Sequence, residues 1–330
     1  MRAAFYDRTG PAREVLQLGD LPDPVPGPGE VLVRILASGI NPADVKRRAG
    51  WRGMGLDHPR VIPHCDGAGV IEAAGEGVDP ARIGQRVWLW NAQGGYGTAG
   101  RAFGTAAERI AIAAGQAVPL PEGFGFEEGA CLGVPAMTAH RCVFADGPVA
   151  GQTLLVQGGA GAVGHLAVQM ARIGGARVLA TTGSPEGAAH AAAAGAETID
   201  RRCGDVAARV RELTGGAGVD RVIEVDFAAN MAVDAEVLQP NGWVASYSSN
   251  TSATPALPYH AFQGKGLNLR FVQGFNLPPA ARAAAIGFVQ SHAAALTVAV
   301  GARFPLDRIA AAHERVEGGG IGQTVVLPAG

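Results

Sequence analysis

The sequence predicts an α/β protein in which a doubly wound parallel sheet is flanked in the chain by β-rich structure. Three observations predict it. At 330 residues the chain exceeds the roughly 250–300 at which one core tends to split, so two domains are expected. From about residue 124 onward, strand-like runs alternate with helical stretches, the rhythm of a parallel sheet with helical crossovers. Where the first such strand meets the first such helix stands GGAGAVG, residues 158–164, a spacing suited to phosphate.

MRAAFYDRTG reads as a strand and turn rather than a leader peptide. VLVRILASGI (31–40), GAGVIEAAG (67–75) and RVWLW (86–90) are β-rich runs bounded by Gly and Pro. PADVKRRA (42–49) suits a short helix with Pro in its first turn. Residues 91–109 are glycine-rich and read as a loop, with Tyr96 available to face a substrate or solvent. FEEGACLGVPAMTAHRCVFA (126–145) has helical length and an acidic start. TLLVQ (153–157), ARVLATT (176–182), DRVIEV (220–225) and GWVASY (242–247) then read as strands separated by helices, with two further helices at 279–295 and 307–317.

Composition narrows the function. A hydrophobic share of 48% with 17% charged residues allows a large core. The net charge of −2 gives no reason to expect nucleic acid or an anionic membrane. No apolar run approaches the ~20 residues of a membrane helix. The four cysteines, at 65, 131, 142 and 203, show no CxxC spacing, so a reducing cytoplasm is the simplest location.

Gly159, Gly161 and Gly164 fit G-x-G-x-x-G after a strand and at the opening of a helix. That context favours a dinucleotide, because the helix N-terminus offers N–H groups and a positive dipole end to a pyrophosphate. An NAD site usually carries Asp or Glu at the end of the second strand, about 20 residues on. Here that strand runs into TTGS (181–184) without a carboxylate. Arg201 and Arg202 could hold a 2′-phosphate or form a solvated surface pair. NADPH is therefore expected ahead of NADH.

NPADVKRRAG, IPHCDGAGVIEAAGEGV, GQRVW, GVPAMTAH, LLVQGGAGAVGHLAVQMARIGGARVLATTGS, LTGGAGVDRVIEV and GIGQTVVL together resemble a medium-chain dehydrogenase/reductase. More narrowly they resemble its zinc-free, zeta-crystallin-like quinone oxidoreductase branch. The resemblance implies a GroES-like catalytic domain at 1–122 and 268–330 around a Rossmann nucleotide-binding domain at 123–267. It places the ligand in the cleft between them. It implies no zinc, since the positions matching the catalytic ligands are Asn41, Cys65 and Val134, and residues 91–104 contain no cysteine.

Without zinc the hydride acceptor implied is a quinone or an α,β-unsaturated carbonyl. The proton or hydrogen-bond donor would be Asn41, Lys46 or water. Asp44 of N-P-x-D reads as structural, serving helix capping and loop hydrogen bonding, while Asn41 could serve that role as readily as the chemical one. For the cofactor, the resemblance carries Ala160, Gly161, Ala162, Val163 and Gly164 onto the pyrophosphate. It carries Gly183, Ser184, Arg201 and Arg202 onto the adenosine end, and Asn230, Ser248, Ser249 and Asn250 onto its surroundings. Thr138, Phe275, Asn276 and Leu277 fall by the nicotinamide, and Gln323 replaces a family lysine. A homodimer is also implied. The rival expectations are a reductase of 2-alkenals or enoyl thioesters, and an NADPH-binding protein with little turnover.

Overall fold

The computed structural model describes residues 1–94 and 100–328. Tyr96 lies outside them. The chain forms two compact units. One comprises Met1–Val134, Val289–Ala293 and Val298–Gly330, and the other Pro135–Phe288 with Ala294–Thr297. These divisions fall at 134/135 and after 288, where the sequence suggests 122/123 and 267/268.

In the first unit, the main sheet is organised by the strand Glu30–Ile40. One edge of this strand pairs antiparallel with Asp66–Ala74. On its other edge, residues 30–34 pair with Arg109–Ala113, and residues 38–40 pair with Gln323–Leu327. Val31, Val33 and Ile35 alternate into a core with Ile71, Val87, Leu89, Ile110 and Ile112, the period of two that a strand imposes. The same strand therefore delivers Ile40 and the residue after it against the strand beginning at Gln323.

The second unit holds a fully parallel sheet in the order Glu197–Asp200, Arg177–Thr182, Thr153–Val156, Val219–Glu224, Leu238–Ser246, Asn268–Phe271. Chain order reverses between Thr153–Val156 and Val219–Glu224, and at such a reversal the loops leave in opposite directions and open a crevice. Leu155, Leu179, Ile199, Val222 and Val244 fill the interior with Val210, Phe227 and Leu238.

Three differences from the sequence have physical reasons. The stretch 126–145 is two helices, Phe126–Gly129 and Gly133–Phe144, interrupted at buried residues 130–132. The last parallel strand, Asn268–Phe271, is half-buried to exposed and carries no buried apolar pattern to announce it. The strands Gln17–Asp20 and Val300–Pro305 escape notice for the same reason. No helix among the described residues is long and apolar enough to cross a membrane.

Candidate functional site

In the parallel-sheet unit, the strand Thr153–Val156 ends in a glycine loop that feeds the helix Ala162–Ile173, with Gly161 as its N-cap. Gly158, ahead of the predicted triplet, makes the turn at φ +73°, a conformation that costs an L-residue about 1–2 kcal/mol. A Cβ on Gly164 would lie 2.2 Å from the Gly158 carbonyl oxygen, so only glycine lets helix and loop close. A Cβ on Gly159 would lie 2.6 Å from the Ala180 Cβ of the second strand. The amides of Ala162, Val163 and Gly164 open the helix, and amides there have no intrahelical carbonyl to bond. Beside this loop a cavity of about 600 Å³ is lined by Gln157, Gly158, Thr181, Arg201, Asp226 and Asn230, among others. These residues lie at or just beyond the carboxyl ends of the strands.

Arg201, one of the lining residues, lies against Gly183, its guanidinium 2.9 Å from where a Cβ on that glycine would sit. Among the described residues no carboxylate pairs with Arg201, whereas Arg202 reaches Asp200 at 3.4 Å. Ser184 is the N-cap of Pro185–Ala193 and accepts the Gly187 N–H at 3.0 Å. Asn230 donates to Glu224 at 3.0 Å. Asn250 and Thr251 present backbone N–H groups to Asp226 at 2.9 and 3.1 Å. Ser248 and Ser249 lie in the same segment after Leu238–Ser246, the Ser249 hydroxyl donating to Ser252 at 2.7 Å. Phe275 is buried in the turn Gly274–Asn276, with Leu277 following, and Thr138 is buried in Gly133–Phe144. The His140 ring packs 4.9 Å from Phe144 and 5.4 Å from Phe288.

In the first unit the buried site is built around Asp66 and Asn41. Asn41 caps the helix Pro42–Ala49, and the Asp44 carboxylate accepts its backbone N–H at 2.7 Å. This is the structural role expected of Asp44. The Asn41 side chain donates to Asp66 at 2.7 Å, and Asp66 also accepts the Val134 N–H at 2.8 Å. Gln323 donates to the Asn41 side-chain oxygen at 3.3 Å. The amide of Asn41 is thus oriented from both sides, and Gln323 sits here as its partner. Burial raises the Asp66 pKa to about 8, against the lowering effect of the Asn41 bond. Lys46 is half-buried with its ammonium 4.7 Å over the Trp51 ring.

His64, Cys65 and Asp66 do not converge. His64 stands at φ +80° and turns its ring away, to Ser38 at 2.8 Å and to His313 at 2.9 Å. The directions of these bonds follow from hydroxyl counting. Thr105 spends its hydrogen on the Asp66 carbonyl at 2.5 Å, so Ser38 must donate to Thr105 at 2.7 Å. His64 then donates from Nδ1 to Ser38, and its Nε2 accepts from His313. Burial lowers the His64 pKa to about 3, which keeps this chain neutral. Asp66, Gln157, Thr181 and Gly158 were not singled out as site residues, because their partners lie 23 to 77 residues away in the chain.

An alcohol dehydrogenase GroES-like domain model matches residues 27–122, and a zinc-binding dehydrogenase model matches residues 162–291. Human quinone oxidoreductase is 30% identical over 344 residues, covering 99% of this chain and 98% of its own. A solved NAD-dependent alcohol dehydrogenase is similar with TM-score 0.88 at 29% identity, covering 99% of each chain. The native structure of a mycobacterial protein complexed with NADPH is similar with TM-score 0.81 at 28% identity, covering 99% of this chain and 100% of its own.

Proposed function

Because the chain belongs to the medium-chain dehydrogenase/reductase superfamily, in its zeta-crystallin-like branch, and is an NAD(P)-dependent oxidoreductase, we propose that it uses NADPH to reduce quinones or α,β-unsaturated carbonyls. The observation that carries the NADPH assignment is Arg201. Its guanidinium lines the cavity at the end of the second strand, with no carboxylate at residues 181–184 to hold ribose hydroxyls in its place. A planar fork of donors suits phosphate oxygens. Arg202, engaged with Asp200, is the weaker candidate of the two. The similar proteins are divided between NAD and NADPH, so the choice rests on this chain's own residues.

One matched model is described as a zinc-binding dehydrogenase, and the residues here do not fit that metal. The matching positions hold an amide, a thiol and an aliphatic side chain. Cys65 is the one thiol among them, where a catalytic zinc needs three protein ligands. His64 commits both ring nitrogens to Ser38 and His313. Activity without a Lewis acid calls for an acceptor that is already electron-poor.

When bound, NADPH supplies the hydride. The chain's residues do the rest. The amides at Ala162–Gly164 receive the pyrophosphate and Arg201 the 2′-phosphate. Asn41, with one side-chain N–H on Asp66, has a second that can meet the oxygen on which negative charge develops. The occupied partners on both sides fix that amide in advance, which lowers the reorganisation needed during reaction.

The outer edge of Asn268–Phe271 closes the parallel sheet, and Phe271 on it is 72% exposed. We assign this edge to homodimer contact; a solution mass equal to one chain would contradict it. The cofactor assignment is tested with Arg201→Ala. The expected result is a rise of about tenfold in the Kd for NADPH with little change for NADH. Equal effects on both cofactors would contradict a 2′-phosphate role.

A further inference from the structure

Under the glycine loop lie two carboxyls that the proposed chemistry does not use. Glu224 ends the strand Val219–Glu224, and Asp234 lies in the helix Phe227–Val237; both are 0% exposed. Asn230, which bonds Glu224, stands one turn before Asp234 on that helix, so both side chains lie on the face turned to Glu224. Among the described residues no salt bridge joins either carboxyl to a cation.

A directed chain of hydrogen bonds joins them to the loop. The Gly158 N–H donates to the Thr181 hydroxyl oxygen at 3.0 Å. Thr181 donates its hydrogen to Gln157 Oε1 at 2.8 Å. Gln157 Nε2 then donates to Asp234 Oδ1 at 3.0 Å. On the far side, Glu224 Oε1 accepts from Asn230 Nδ2 at 3.0 Å and from the Asp226 N–H. Asp234 Oδ2 and Glu224 Oε2 are left buried without a donor. Two neighbouring buried carboxylates without a cation strongly disfavour double ionisation, and one proton held by the pair supplies a donor that is otherwise missing.

We propose that Glu224 and Asp234 share one proton and act as positioning residues for the dinucleotide. The shared proton completes the chain Gly158–Thr181–Gln157–Asp234–Glu224 and so holds the glycine loop in its receiving shape. Thr181, Gln157 and Asn230 also line the cofactor cavity, so a disturbance of the pair reaches the ligand within two bonds of the chain. Loss of the proton puts two negative charges together in a low dielectric. The helix Phe227–Val237 is then pushed from the strand end, and Gln157 and Thr181 lose their anchor.

Other groups around the pair do not compensate. Asp226 adds a negative charge that is taken up by the Asn250 and Thr251 amides and the Thr251 hydroxyl. Tyr247 donates its backbone N–H to the Glu224 carbonyl oxygen at 3.1 Å, and burial raises its phenol well above the ordinary value, so it adds no charge; burial likewise raises the Cys142 thiol. Binding of NADPH is therefore expected to weaken on the alkaline side as the shared proton leaves.

The inference rests on the nicotinamide-cofactor reading and is tested with the full chain by NADPH fluorescence titration from neutral to about pH 10. In Asp234→Asn, the amide oxygen can still accept from Gln157, and the amide N–H replaces the shared proton toward Glu224. Its neutral-pH Kd is expected within about threefold of the parent. The parent should weaken about tenfold toward the alkaline end, and this variant should not. Thr181→Val keeps the pair but cuts the chain, and should weaken NADPH about tenfold already at neutral pH. An alkaline loss of the same size in Asp234→Asn, or parent-like binding in Thr181→Val, would overturn the proposal. A parent that binds neither NADPH nor NADH would overturn the cofactor reading itself, a result separable from the other two.

Discussion

Asn41 owes its place to neighbours far away in the chain. Asp66 takes one of its N–H groups at 2.7 Å and Gln323 faces its oxygen at 3.3 Å, while Asp44 holds its backbone. A substitution that keeps a capping oxygen but removes the amide separates structure from chemistry. Asn41→Ser is expected to fold, since Ser caps helices about as well as Asn. It should bind NADPH like the parent, and its kcat should fall about tenfold to a hundredfold for loss of a preorganised donor. An unchanged kcat would reduce Asn41 to a capping residue. Half of this was legible from the sequence: N-P-A-D advertises a helix start with an acidic N3. The other half was not, because nothing local in NPAD points to Asp66 or to Gln323. His64 is similar. Its glycine-like φ of +80° is held by His313, 249 residues further on.

At the scale of elements, the glycine loop was legible because each of its demands is local. A strand, three spaced glycines and an alanine-rich helix follow one another without interruption. Gly164 can be tested directly. In Gly164→Ala the new Cβ falls 2.2 Å from the Gly158 carbonyl, and neither backbone can yield without opening the turn. The expected outcome is a lower melting temperature together with a Kd for NADPH raised at least about tenfold. Parent-like affinity would show that the loop does not receive the pyrophosphate. Elements that lack an apolar pattern were harder to see. Asn268–Phe271 has no fully buried residue, so it is specified by pairing with Trp243–Ser246 and not by its own hydrophobic rhythm. The break at 130–132 was hidden for the opposite reason: Ala130, Cys131 and Leu132 are all buried and read as a helix interior.

For the whole molecule, the alternating second half of the sequence yields the six-strand order because parallel strands joined by helices admit few topologies. The first unit depends on pairings such as Glu30–Ile40 with Gln323–Leu327, which no local pattern encodes. Function divides along the same line. The dinucleotide loop is a local motif, while Asn41, Asp66 and Gln323 meet only through the tertiary fold. On the proposed reading, this assembly passes hydride from NADPH to an electron-poor acceptor without a metal. The most direct measurement follows NADPH absorbance after mixing the chelator-treated protein with a panel of quinones and enones, with NADH in parallel. Rapid oxidation of NADPH, much slower oxidation of NADH and no gain on adding zinc is the predicted result. Activity that appears only with added zinc, or that is equal for the two cofactors, would contradict it.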